Sequence, residues 1–252
     1  MLMSNQLVMF YGRTGSTLLD NHITQNICNP PFNFWDNHGL YSSEIHPDEY
    51  DKFLDLMKPL KMQWCMKYHV TTGVRVIDDT GQFATIDKMK SGKYLNKKDF
   101  TFDFSRTDRF LSELNVTDLH FSFRIDTVDA ICSHLIAKEH DTWVVKDNII
   151  QKHEKISLEP NDVRQLCIGL EMTYRIYNEY VERYKDSYNC IFYPYENLHE
   201  MFDTENDYNG MKKQLSKHQK QELITNYDEV EEIIKEYSFY GKIHKTWGTL
   251  EA

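Results

Sequence analysis

The sequence predicts an α/β fold, a three-layer sandwich with a mostly parallel central sheet, and three observations lead there. Apolar runs at 6–11, 64–70, 119–124 and 190–193 have the length of buried strands. Segments with helical spacing lie between them, the longest keeping Val163, Leu166, Cys167, Leu170, Tyr174, Tyr177, Val181 and Tyr184 on one face. Strands that alternate with helices require crossover connections, which favour parallel pairing. At 252 residues the chain suits one domain, read here as 1–252.

Taken in order, the run 6–11 ends at Gly12 and reads as the first strand. Leu18, Leu19, His22, Ile23 and Ile27 then recur at helical spacing, with Ser16 or Thr17 suited to the helix start. Residues 28–50 carry Asn29-Pro30-Pro31, His38-Gly39 and His46-Pro47 and read as loop. Strands are expected at 64–70 and 74–77. The polar stretch 78–105 has no clear period except the alternating FTFDF at 100–104, which suits an edge strand. A short helix is expected at 106–114, a strand at 119–124 and a helix at 128–140. Pro160 fits the first turn of the long helix. A strand at 190–193, one helix over 216–237 and an irregular tail complete the series.

Composition narrows the function. A net charge of −10 argues against a general nucleic-acid binder, which needs a basic face. No apolar run approaches the ~18 residues of a membrane span. Residues 1–10 have neither the basic start nor the apolar core of a signal peptide, so a cytoplasmic location is expected. Cys28, Cys65, Cys132, Cys167 and Cys190 are scattered without a CxxC pair, so neither a disulfide framework nor a metal site is expected.

Two segments carry chemistry. In Gly12-Arg13-Thr14-Gly15-Ser16-Thr17 the glycines let backbone N–H groups approach an oxyanion, with a helix N-terminus behind them. Arg13 adds a permanent cation and the hydroxyls add donors. It is not the P-loop of nucleotide kinases and NTPases, because Gly15 stands where that motif has its lysine. In LHFSFRIDTVDAICSHL, a strand delivers Arg124 to its C-terminal end, Asp126 or Thr127 can cap the next helix, and Ser133 follows in that helix. Ligands of open α/β sheets bind outside the carboxyl ends of the strands, so Arg124 and Ser133 can reach a second phosphate of the same ligand.

Together these segments resemble the sulfotransferase superfamily, more closely its bacterial carbohydrate (trehalose-type) branch. GRTGSTLL is similar to that family's RSGSTLL loop, and FRIDTVDAICS…W to its RRDxxxxAxS…W segment. YPYENL at 193–198 is similar to its YEDL element. The resemblance implies a P-loop-like phosphosulfate-binding loop and a sulfuryl transfer from the donor PAPS to a hydroxyl of a carbohydrate or small metabolite, leaving PAP. It assigns Arg13, Thr14, Gly15, Ser16 and Thr17 to the 5′-phosphosulfate, and Arg124 and Ser133 to the 3′-phosphate.

The sequence also departs from the family pattern. Arg124 lies nine residues before Ser133 instead of eight, and Asn197 replaces an acid. Lys242 and Lys245 offer a loose match to a C-terminal basic loop. The branch's catalytic glutamate falls near Asn33, which cannot be a base, so Asp36 or His38 is the candidate, with Glu44 and His46 further off. Arg13 would stabilise charge on the leaving oxygen. Lys67 and His69, alternating on one strand, and Trp35 are the candidate acceptor contacts. A catalytically degenerate PAPS- or PAP-binding protein is the second reading.

Overall fold

The computed structural model describes residues 5–10, 16–26, 54–55, 57–59, 64–70, 74–77, 81, 101–140, 154–201 and 215–237. Four strands form one all-parallel sheet: β1 (Asn5–Phe10), β2 (Cys65–His69), β5 (Val116–Phe123) and β6 (Asn189–Pro194), in the order β2-β1-β5-β6. Two short strands, β3 (Arg75–Ile77) and β4 (Thr101–Asp103), pair antiparallel apart from it, with Arg75 ion-paired to Asp103 across the register. The helices are α1 (Ser16–Asn26), α2 (Ser105–Glu113), α3 (Thr127–Glu139), α4 (Pro160–Tyr184), α5 (Tyr195–Met201), α6 (Lys217–Leu223) and α7 (Tyr227–Lys235). The chain is thus an α/β fold with a parallel sheet flanked by helices.

Strand alternation divides the sheet into two unlike faces. Leu7, Met9, Met66, Tyr68, Leu119, Phe121 and Phe123 enter the large core with residues of α2, α3, α4 and α7. Val8 and Cys65 join a small cluster on the other face with Leu19 and Ile23 of α1 and Leu198 of α5. The expected stripe of α4 is present: Val163, Cys167, Tyr174, Tyr177 and Tyr184 are buried, and Leu166, Leu170 and Val181 are half-buried. Its tyrosines also carry polar duty. The Tyr180 hydroxyl lies 2.9 Å from Thr107 Oγ1, which lies 3.4 Å from the Tyr68 hydroxyl.

The far end of the sheet is tied by one buried asparagine. Asn5 Nδ2 donates to the Leu114 carbonyl at 2.7 Å, its Oδ1 accepts from Trp64 N–H at 3.2 Å, and its own N–H reaches the Asn115 carbonyl at 3.3 Å. Asn115 itself takes a left-handed φ of 48°, a conformation asparagine tolerates better than most residues, and so turns α2 directly into β5. Replacing Asn5 with alanine leaves a buried N–H and a buried carbonyl without that partner. The expected loss is about 2–3 kcal/mol in urea unfolding. A loss under about 0.5 kcal/mol would mean that water replaces the amide.

One sequence expectation needs correction. Residues 216–237 form two helices, not one. The break falls at Ile224, which bridges in parallel to Ile156 through Ile156 N–H to Leu223 O at 3.0 Å and Thr225 N–H to Ile156 O at 2.8 Å. Asn226 then clasps Leu158, donating to its carbonyl and accepting from its N–H, both at 2.9 Å. Backbone groups that would have continued the helix are spent on residues 156–158. The irregular tail expected after 237, and the loop expected at 28–50, lie outside the described residues.

Candidate functional site

The strand order makes a switch point. From β1 the chain passes to β2 on one side, and from β2 it crosses back to β5 on the other, so connections diverge between β1 and β5. That divergence is where open α/β sheets form a crevice. Here the two strands part at a definite register. The β1–β5 register ends at Met9↔Phe121, yet β1 continues with β2 to Phe10↔His69, and β5 continues with β6 to Phe123↔Pro194. Beneath the split, the hydroxyl of buried Tyr177 lies 2.8 Å from both Met9 O and Ser122 O. With a single proton it donates to one carbonyl at a time.

The two motif segments follow these neighbouring strands at the same, carboxyl, end of the sheet and lead to helices on opposite faces. Residues 11–15 link β1 to α1, so Arg13, Thr14 and Gly15 lie outside the described residues, while Ser16 and Thr17 form the first turn of α1. Residues 124–126 link β5 to α3, where Asp126 is the N-cap and accepts from Asp129 N–H at 2.9 Å. Arg124 is only 3 % exposed. Its Nη1 donates to Asp129 Oδ2 at 2.7 Å, and its guanidinium carbon stands 3.9 Å from the centre of the Tyr195 ring. Ser133 is buried in the second turn of α3.

Two lysines of α6 complete the corner. Lys220, as buried as Arg124, donates to Asp129 Oδ1 at 2.6 Å, and Lys217 donates to Asp126 Oδ2 at 2.6 Å. A capping box of Ser216 and Gln219 starts α6 and fixes the direction from which both lysines approach. Burial pulls the Lys220 ammonium down; Asp129 opposes this, Arg124 reinforces it, and the net shift is downward. Burial pushes the Asp126 carboxyl up, but Lys217 and the Asp129 amide outweigh it and hold the group below the usual range.

On the face covered by α1, a polar chain crosses the sheet. Gln6 donates to Asp118 at 3.1 Å, His120 Nε2 lies 2.6 Å from Gln6 Oε1, and His120 Nδ1 lies 3.3 Å from the Tyr193 hydroxyl. With Nε2 donating and Nδ1 accepting, the neutral imidazole satisfies both neighbours. Burial lowers its pKa to about 4, against a smaller upward pull from Asp118.

The remaining site expectations fall as follows. Lys67 is half-buried in β2 with its ammonium 5.9 Å from the centre of the Phe10 ring, and His69 ends that strand opposite Phe10. Trp35, Asp36 and His38 lie outside the described residues, as do Asn33, Glu44, His46, Lys242 and Lys245. Cys132, Cys167 and Cys190 are free thiols, and burial pushes Cys132 and Cys167 up to about 12 and Cys190 to about 11, which suits packing more than nucleophilic chemistry. Among the described residues no His/Cys/Asp/Glu cluster could hold a metal ion, and no helix is long and apolar enough to cross a membrane.

Sequence reasoning missed Glu196, Tyr195, Asp129, Lys217 and Lys220. Glu196 and Tyr195 lie inside YPYENL, next to Asn197, the residue that departs from the family's acid; Asn197 is exposed, and the acid before it makes the contact. Lys217 and Lys220 stand three apart directly after a serine N-cap, a spacing that puts both on one helix face. No protein-family model and no curated protein matches this chain. The fold is that of an α/β protein in which the connections after β1 and β5 start from neighbouring strand ends.

Proposed function

We propose that the chain is a PAPS-dependent sulfotransferase acting on a hydroxyl of a carbohydrate or small metabolite. The observation that carries this reading is the adjacency of the two motif-bearing connections at the carboxyl ends of β1 and β5, where the sheet splits past Met9↔Phe121. In this reading the sheet and its helices are a three-layer sandwich and residues 12–17 form a P-loop-like phosphosulfate cradle. Backbone N–H groups of that loop and Arg13 hold the 5′-phosphosulfate and stabilise the charge that develops on the leaving phosphate oxygen. Arg124 and Ser133 hold the 3′-phosphate. Asp36 or His38 takes the proton from the acceptor hydroxyl as its oxygen bonds to sulfur and the sulfur–oxygen bond to PAP breaks. Lys67, His69 and Trp35 face the acceptor. The reaction needs no metal.

The product PAP is expected to stabilise the protein. At a hundredfold excess over its dissociation constant the gain is about 2.7 kcal/mol, which raises the melting temperature by roughly 5–10 °C. ADP, which lacks the 3′-phosphate, is expected to give far less. Equal shifts with both nucleotides would overturn the reading.

The second reading, a PAP-binding protein without turnover, gains support from Arg124, whose guanidinium is already drawn into a buried contact with Asp129. The asparagine at the family's glutamate position favours it too. Transfer of labelled sulfate from PAPS to a panel of sugars, with Arg13→Ala as control, separates the two. Turnover that the control abolishes supports the enzyme, and PAP binding without turnover supports the alternative.

A further inference from the structure

The segment YPYENL supplies three neighbouring side chains to the β5 strand and its exit. Tyr193 meets His120 inside the sheet, Tyr195 covers the Arg124 guanidinium, and Glu196 reaches the turn itself. The Glu196 carboxylate is divided between two consecutive backbone donors, Oε2 accepting from Ile125 N–H and Oε1 from Asp126 N–H, each at 3.1 Å.

Those two N–H groups belong to the residues directly after Arg124, ahead of the first helical turn of α3. Asp126's own carboxylate is occupied elsewhere, by Asp129 N–H and Lys217. A carboxylate that receives both donors fixes two successive peptide planes, and with them the backbone on the C-terminal side of Arg124. Tyr195, one residue before Glu196, holds the other end of the same arginine. A buried guanidinium placed to meet a ligand needs this kind of support, because its orientation follows the backbone that carries it.

We propose that Glu196 is a positioning residue for Arg124. It clips the β5–α3 turn to the end of β6 and thereby sets the angle at which the guanidinium is presented at the crevice. The effect on ligand binding rests on the reading of Arg124 as the 3′-phosphate contact; the clip itself does not.

The test uses the full chain carrying Glu196→Gln, which preserves size at an exposed position but presents an amide N–H₂ to one of the two donors. Glu196→Asp, which keeps the charge and withdraws it by one methylene, is the second variant. Three quantities are measured: amide exchange at Ile125 and Asp126, the order parameter of the Arg124 side-chain Nε–H, and the ratio of affinities for PAP and 5′-AMP. Exchange at the two amides is expected to accelerate by about tenfold or more in E196Q, with Met9 and Phe121 unchanged. The Arg124 order parameter should fall, and the preference for PAP should drop by about tenfold while 5′-AMP affinity holds. Unchanged exchange, or an unchanged Arg124 order parameter, overturns the proposal. So does a PAP preference equal to that of the unaltered protein. If the unaltered protein has no preference for PAP over 5′-AMP, the nucleotide reading fails instead, and the order parameter of Arg124 alone then decides the positioning role.

Discussion

Replacing Asp129 with alanine is expected to destabilise the protein by about 3–5 kcal/mol, the range for breaking a buried ion pair by removing one partner. Asp129 receives Arg124 at one oxygen and Lys220 at the other, and both cations are nearly inaccessible to water. Taking the carboxylate away leaves two like charges facing each other, each stripped of hydration. Two further losses accompany it. Lys220 carries α6 onto α3, so α6 loses an anchor, and Arg124 loses the partner that holds it in the turn. Chemical denaturation of the variant measures the effect. Adding Lys220→Met to Asp129→Ala is expected to recover part of the loss, because it removes one of the stranded charges. A loss below about 1 kcal/mol in the single variant would show that the pair is hydrated in solution and that Arg124 is free to turn elsewhere.

The second large effect is a loss of stability in mild acid that traces to His120. Its folded pKa of about 4 lies below the ordinary value of 6.5, so between those values the unfolded chain binds a proton that the folded chain refuses. The contribution is complete above about pH 6.5, declines as the pH falls, and is gone by about pH 4. Across that window it amounts to roughly 3 kcal/mol. A proton on Nδ1 would also confront the Tyr193 hydroxyl donor and force it to turn away. The measurement is unfolding free energy against pH for the protein and for His120→Gln. The variant is less stable throughout but should lose this slope between pH 4 and 6.5. Carboxylates held below their usual range, Asp126 and Glu113 among them, add a slope at the acid end that both proteins share, so the difference between the two curves isolates His120. Parallel curves for the two proteins would rule His120 out.

Much of the fold follows from local pattern. FTFDF alternates and forms β4, Pro160 opens α4 where its missing N–H does no harm, and the apolar run at 119–124 is the core of β5. What escapes local pattern depends on partners distant in the chain. Helical periodicity runs on through Ile224, and only the strand-like residues near Ile156 explain why the helix stops there. The same holds at the candidate site. A cation at a strand end was legible at Arg124, which directly follows the last residue of β5. That its nearest anion would be Asp129, shared with Lys220 ninety-one residues away, was not, since a side chain's partner is set by how helices pack. Asn197 stands where the family pattern has an acid, and Glu196 beside it supplies a carboxylate on the turn.

The position of β1 has a consequence for how the protein is made. It leaves the ribosome ahead of the other strands of its sheet, yet it lies inside that sheet and its β5 neighbour is encoded about 110 residues later. At roughly 5–20 residues per second, one side of β1 waits some 5–20 s of synthesis for its partner. During that interval Leu7, Val8 and Met9 lack half of their eventual shelter, and α1 and β2 are the first cover to arrive. The nascent chain is most exposed to off-pathway pairing then, before the carboxyl-terminal half exists to close over it.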